Sequence, residues 1–191
     1  VTGIVGFLHL LSKTQLDDVQ GEYVAAARNG AQVLLNLLNG LLDLSSAESG
    51  HLSLDSQPLD LRECLETTAT LHAPQARSQG LEMVSCIDPR IPDLVRADGL
   101  RLRQVLANLL GNALKFTENG EVSLTLRVES TTLDAVRVSF VIADTGIGIA
   151  PNDVPKLFKK FYRADNALKT QTEGSGLGLY IAKNIIQAHG G

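Results

Sequence analysis

Apolar positions make the first division of the chain. Tyr23, Ala27, Gly30, Leu34, Leu37, Leu41 and Leu44 recur in alternating steps of four and three, the spacing of a heptad seam. A second seam runs beside it through Val24, Ala31, Leu35, Leu38 and Leu42. A two-stranded coiled coil buries one seam, whereas two adjacent seams make the broad apolar face of a helix bundle. Ile4, Val5, Leu8 and Leu11 give a shorter first helix a similar face. The polar stretch Ser12 to Asp18 predicts the turn between them, with Asp17 or Asp18 capping the second helix. One hairpin cannot cover so wide a face. The pattern therefore predicts a four-helix bundle built from two chains; the alternative is a hairpin packed on the rest of its own chain.

Residues 1–46 read as this hairpin and 47–60 as a linker rich in Ser, Gly and Asp, with Pro58. From 61 to 191 the pattern changes to helices interleaved with strands. Leu61 to Gln79 reads as a helix ended by Gly80, and Leu81 to Ile87 as a strand. Pro89, Pro92 and Asp93 mark a loop. Asp98 is placed to cap a helix running to Phe116, with Leu102, Val105, Leu106, Leu109 and Ala113 as its buried stripe. Asn119-Gly120 has hairpin-turn chemistry. Glu121 to Val128 and Val136 to Ala143 alternate as antiparallel strands. A short helix (152–161), a polar stretch (162–173) and a last helix (176–188) follow. Strands and helices in this order, without βαβ regularity, predict an α+β domain: a two-layer α/β sandwich behind the helical hairpin.

Composition narrows the class only a little. A net charge of −4 gives no reason to expect a nucleic-acid partner, and no apolar run approaches the roughly 18 residues of a membrane span. No signal peptide is visible, but the start at Val1 reads as a fragment, so absent membrane or targeting segments say little about the parent; this region is expected in the cytoplasm, with a parent that can be membrane-anchored. The two cysteines, Cys64 and Cys86, lack CxxC spacing and read as small core residues.

Three motifs in fixed order carry the chemistry: NLLGNALKF (108–116), DTGIGI (144–149) and GSGLGL (174–179). Asn108, Asn112 and Lys115 stand at i, i+4 and i+7, so they share one helix face. Asn is a poor helix former, and two of them one turn apart ask for a reason. Amide oxygens can ligate Mg²⁺, and an ammonium one turn on can hold a phosphate; a solvated polar face is the other reading. Asp144 ends a strand, where a carboxylate needs donors, such as the exocyclic amine of adenine. Gly146 and Gly148 let backbone approach a flat base and turn sharply. A turn aspartate, or the DTG of an aspartic protease, would look similar, but the protease needs an all-β fold and a second such acid. Gly174, Gly176 and Gly178 precede a helix whose N–H groups can bind phosphate, or they form a hinge. The spacing GxGxG is not the dinucleotide GxGxxG, and no GxxxxGK[ST] occurs. The combination predicts an ATP pocket. Tyr162 to Glu173, with Arg163 and Lys169, has the length of a lid. Phe158 and Phe161 either anchor its base or belong to the core.

These segments resemble, in order and spacing, the boxes of the sensor histidine kinases of two-component signal transduction, including the hybrid kind. NLLGNALKF resembles the N box, DTGIGI the G1 box, KLFKKFYRAD the F box and GSGLGL the G2 box, and LLNGLLDLSSAESGHL resembles the dimerisation and phosphotransfer hairpin. The resemblance implies a Bergerat-type ATP-binding domain after a dimeric hairpin, with ATP and Mg²⁺ as cofactors. It implies that Asn112, with Asn108 beside it, ligates Mg²⁺, that Lys115 and Arg163 contact phosphates, and that Asp144 reads adenine. Phe116, Gly146, Gly148, Gly174, Ser175, Gly176, Leu177 and Gly178 would complete the pocket and lid, Ser175 standing where Thr is more usual. Gyrase-like and chaperone ATPases carry Glu at the position of Asn108, and an amide cannot activate water as that acid does. The resemblance therefore implies phosphoryl transfer to a histidine, then relay to a response-regulator receiver aspartate. It places the acceptor histidine before Val1 and further strands after Gly191, so His9, His51, His72 and His189 read as surface or packing residues. A second reading keeps the boxes but makes the protein a pseudokinase that docks to another sensor kinase.

Overall fold

The computed structural model describes residues 2–48, 53–164 and 175–191. The chain divides into two compact units, Val1–His51 and Leu52–Gly191.

The first unit is a helical hairpin of α1 (Thr2–Leu11) and α2 (Asp18–Glu48). Its turn closes as predicted. Asp17 Oδ1 accepts the Gln20 N–H at 2.8 Å, and Gln20 Oε1 accepts the Asp17 N–H at 3.2 Å. This reciprocal capping box satisfies two backbone donors that would otherwise be orphaned at the start of α2. Val5, Leu8, Val24 and Leu35 are half-buried, whereas Ile4, Phe7, Tyr23, Leu34 and Leu38 remain exposed. A single hairpin thus leaves much of its apolar face in water. The predicted seam positions Leu37, Leu41, Leu42 and Leu44 lie outside the side chains described.

The second unit begins with β1 (Gln57–Leu59), inside the stretch expected as linker, which pairs antiparallel with β3 (Val95–Ala97). Neither short strand has a hydrophobic alternation long enough to predict. Asp60 caps α3 (Leu61–Ser78) by accepting the N–H groups of Arg62 and Glu63. Gly80, at φ +71°, ends it in the left-handed conformation that favours glycine. The main sheet has the order β2-β4-β5, from β2 (Glu82–Ile87), β4 (Glu121–Thr131) and β5 (Val136–Asp144). β4 and β5 are antiparallel as expected, and β2 runs parallel to β4. A parallel pair needs a long crossover, here supplied by β3 and α4 (Gly99–Phe116). Asn119-Gly120 therefore joins α4 to β4 rather than two strands.

The core lies between this sheet and the helices. Val122, Leu124 and Leu126 point inward from the central strand and are fully buried, meeting Leu61, Leu65 and Ala69 of α3 and Leu106, Leu110 and Leu114 of α4. Leu102, Val105, Leu106 and Ala113 of the expected stripe of α4 are buried, but Leu110 and Leu114 are sealed with them and Leu109 is only half-buried. The helix packs against more than one neighbour, so a single-stripe reading picks the wrong leucine. Cys64 is buried, but Cys86 is exposed on β2, contrary to expectation, because β2 is an edge strand and Cys86 faces away from the core. The helix expected over 152–161 is only a 3₁₀ turn, Val154–Lys156, since Pro151 and Pro155 limit helical hydrogen bonding. The last helix, α5, spans Gly178–Ala188.

The fully buried Leu110 generates the first prediction. Leu110→Ala should lower unfolding free energy by about 2–5 kcal/mol, and Leu100→Ala, at an exposed position of the same helix, by less than about 0.5 kcal/mol. Urea denaturation of the two variants checks the difference.

Candidate nucleotide-binding site

The three motifs meet along α4. Its face opposite the sheet carries Asn108, Asn112 and Lys115, all half-buried. Gly178, the first residue of α5, lies directly on the Asn108 side chain: a Cβ there would overlap the amide. Asn108 Nδ2 is buried and has no hydrogen-bond partner among the described residues. A buried amide donor without a partner costs about 1–3 kcal/mol, so it is an expensive group to keep for packing alone.

The DTG turn meets the other end of the helix. Asp144 ends β5, and its Oδ1 accepts the Gly146 N–H at 2.9 Å. The Ile147 N–H donates to the carbonyl oxygen of Phe116, the last residue of α4, at 3.1 Å. A Cβ on Gly146 would collide with that carbonyl, so only glycine permits the approach. Gly148 differs: space around it is open, and its φ of +66° is what favours glycine. Asp144 does not bear the cost of burial that a carboxylate at a strand end can meet. It is exposed, because it stands at the rim where the strand leaves the sheet. Thr145 fastens the turn to β4 by accepting the Glu121 N–H at 3.0 Å. An open depression of about 230 Å³, lined by Glu118, Asn119, Thr145, Gly146 and Ile147, lies against it.

The glycine-rich turn is built on Phe161. Gly176, at φ +70°, packs its Cα against the Phe161 backbone, and Phe161 itself has φ +59°. A left-handed conformation is uncommon for an aromatic residue, and here it coincides with the contact between the two segments. Ser175 Oγ accepts the Leu177 N–H at 3.3 Å, and Leu177 is buried. Phe158 and Phe161 are both exposed, which excludes the core reading of this pair. Lysines lie over neighbouring rings: Lys115 over Phe116 at 5.2 Å, Lys160 over Tyr180 at 5.2 Å and Lys183 over Phe158 at 5.7 Å. Tyr162 donates to Asp153 Oδ1 at 2.6 Å, fixing the base of this segment. Arg163 is half-buried and Ala164 buried. Gly174 and Lys169 lie outside the described residues.

The structure thus brings Asn108, Gly146, Gly176 and Gly178 into direct packing with one another or with Phe116 and Phe161. Asn112, Lys115 and Asp144 stand on the same elements. Sequence reasoning missed the left-handed Phe161, for which the sequence carries no signal. It also missed Thr145, whose signal was its place inside DTG.

The donor set can be tested against Mg²⁺. No group of three or more His, Cys, Asp or Glu that could hold a metal occurs among the described residues. What the site offers is amides one helical turn apart. Mg²⁺ binds through few protein oxygens and keeps water and phosphate oxygens as other ligands. The partnerless Asn108 amide, whose O and N ends exchange on a flip, fits such an ion beside a nucleotide.

An antiparallel-edged sheet under helices, with glycine backbone closing on an amide-bearing helix, is the architecture of one ATPase class. Residues 97–191 match the family model described as histidine kinase-, DNA gyrase B- and HSP90-like ATPase. Residues 1–50 match that of the His Kinase A (phospho-acceptor) domain. With both domains in tandem, the chain belongs to the histidine kinase family. It is 42% identical over 191 residues to the sensor histidine kinase GacS of Pseudomonas protegens, and 38% identical over 191 residues to the signal transduction histidine-protein kinase BarA of Escherichia coli K12. In both cases all of this chain is covered, and 21% of the relative. The chain thus spans about a fifth of the length of these relatives. Among solved structures, full-length ShkA in complex with AMPPNP superposes with a TM-score of 0.76 at 36% identity, over 98% of this chain and 38% of that one. No described helix is long and apolar enough to cross a membrane.

The glycine approaches to α4 at Gly146 and Gly178 differ in what they touch, which makes a prediction. Gly146→Ala meets fixed backbone at Phe116, whereas Gly178→Ala meets a side chain that can rotate. Gly146→Ala should therefore lower the thermal midpoint more than Gly178→Ala, as differential scanning calorimetry of the two would show.

Proposed function

We propose that the second unit binds ATP with Mg²⁺ along α4 and directs its γ-phosphate to a histidine nitrogen, the autokinase step of a sensor histidine kinase. The observation that carries this reading is the buried Asn108 Nδ2, without a hydrogen-bond partner among the described residues, on a side chain held against Gly178. Asn108 and Asn112 would hold the metal, which when bound neutralises phosphate charge. Asp144 would accept from the adenine amine, and the exposed position of its carboxylate suits that role. Lys115, Arg163 and the N–H groups at the start of α5 would face the phosphates, where unpaired donors and the helix dipole favour negative charge. Phe116, Gly146, Gly148, Ser175, Gly176 and Leu177 shape the walls, and Gly174 falls in the same motif.

The choice of acceptor follows from what α4 lacks. Hydrolysis needs a base to take a proton from water, and Asn108 cannot supply one. A neutral imidazole nitrogen is already nucleophilic. Its lone pair attacks the γ-phosphorus, the bond to the β–γ bridging oxygen breaks, ADP leaves, and the imidazole releases its proton. The acceptor would lie outside this sequence. His72 Nδ1 lies 2.9 Å from the Thr68 carbonyl oxygen within α3, and His189 is engaged by two backbone groups. Onward transfer to a receiver-domain aspartate completes the reading, and the family membership supports it.

Two outcomes are expected. Titration with AMPPNP and Mg²⁺ should show binding that Asp144→Asn and Asn112→Ala each weaken by about tenfold or more, the loss of one charged or metal-linked contact. Unchanged affinity in both would exclude the site. The exposed apolar side chains of the hairpin would be buried by a second copy. Analytical ultracentrifugation should show a dimer that Leu34→Glu with Leu38→Glu converts to monomer without changing AMPPNP affinity.

A further inference from the structure

Two of the contacts between the helices that carry the two halves of the site stand at opposite ends of their packing. At one, Gly178 at the start of α5 rests on Asn108 in the middle of α4. At the other, His189 at the end of α5 reaches Asp98 at the start of α4, its Nε2 accepting the Asp98 N–H at 3.2 Å. The helices are therefore antiparallel. The interval from Asp98 to Asn108 spans about 15 Å of helix and that from Gly178 to His189 about 16 Å, at about 1.5 Å per residue. Two fixed points at matching separation pin one helix against the other, so neither can slide alone.

The imidazole is oriented for this contact. Its Nδ1 lies 2.8 Å from the carbonyl oxygen of Ile185, which can only accept. Nδ1 must carry the proton, and Nε2 is left as the acceptor that the Asp98 N–H requires.

Asp98 is itself a junction. Its Oδ1 accepts the Arg101 N–H at 3.0 Å and caps α4, and its backbone carbonyl accepts the Leu102 N–H at 2.9 Å. Its Oδ2 accepts the N–H of Asp55, just before β1 in the same unit, at 3.0 Å. Burial pushes this carboxyl up, but the backbone donors and the Arg101 charge outweigh it and hold it below the ordinary carboxylate value. The group is 6% exposed and ionised, so its donors are costly to remove.

We infer that His189 is a positioning residue: through Asp98 it sets the register of α5 on α4, and so the fit of Gly178 on Asn108 at the nucleotide site. The same junction ties that register to Asp55, just before β1. This rests on the nucleotide reading above, but the register can be observed without nucleotide.

The test uses the 191-residue chain and NMR. In the wild type, long-range ¹H–¹⁵N spectra should show His189 protonated at Nδ1 with Nε2 bare; protonation at Nε2 in the neutral ring would overturn the contact without any variant. His189→Ala should shift the Gly178 backbone amide and the Asn108 side-chain amide signals and weaken AMPPNP binding about three- to tenfold, the value of one lost hydrogen bond. His189→Gln, which restores an acceptor, should recover most of both. Gly80→Ala, which strains the left-handed end of α3 and touches neither α4 nor α5, should lower the thermal midpoint without shifting either signal. Unmoved Gly178 and Asn108 signals in His189→Ala would overturn the inference. If the wild type binds no AMPPNP, the nucleotide reading fails, while the Gly178 and Asn108 signals still decide the register.

Discussion

Helix α4 is pressed from both sides, and the site depends on that pressure. Leu106, Leu110 and Leu114 are sealed against the sheet and α3, which fixes the helix in rotation and height. Backbone then closes on its remaining faces, with the Gly146 turn on the Phe116 carbonyl and Gly178 on the Asn108 amide. Ordinary side chains would hold these segments several ångströms away. Glycine removes that distance, so backbone packs directly on α4 at Phe116 and at Asn108.

That geometry explains why an asparagine is kept where a helix would prefer almost anything else. Asn108 costs helix propensity and leaves a buried donor without a partner among the described residues. Real proteins break such local rules mainly where function repays them. In the proposed reading a bound nucleotide and its metal repay it here. The helical hairpin poses the same kind of question on a larger scale. Its exposed Phe7, Tyr23 and Leu34 belong to a face that one chain does not cover, and a second copy is the simplest cover of matching pattern.

Much of this was legible in the sequence because it rests on local chemistry. The caps of α2 and α4 fall at aspartates ahead of apolar runs, and β4 and β5 alternate cleanly. Asn108 and Asn112 share a helix face by spacing alone. What escaped prediction depends on tertiary contacts. β1 and β3 are three residues each and exist because they pair with one another. Leu110 replaced Leu109 in the core because α4 meets a sheet and two helices rather than one surface. The 3₁₀ turn at 154–156 replaced a helix because two prolines remove hydrogen bonds that an apolar count does not register. Phe161 gave no warning of its left-handed backbone, and His189 read as incidental because its partner, Asp98, is 91 residues away.

The central claim is that nucleotide and metal are held by α4 and the two glycine turns. The most direct measurement is a crystal structure with AMPPNP and Mn²⁺ in place of Mg²⁺, locating the metal by its anomalous signal. The account predicts the metal peak beside the Asn112 amide, with Asn108 adjacent, the adenine amine on Asp144, and the phosphates at the start of α5. A nucleotide bound elsewhere, or a metal peak remote from both asparagines, would contradict it.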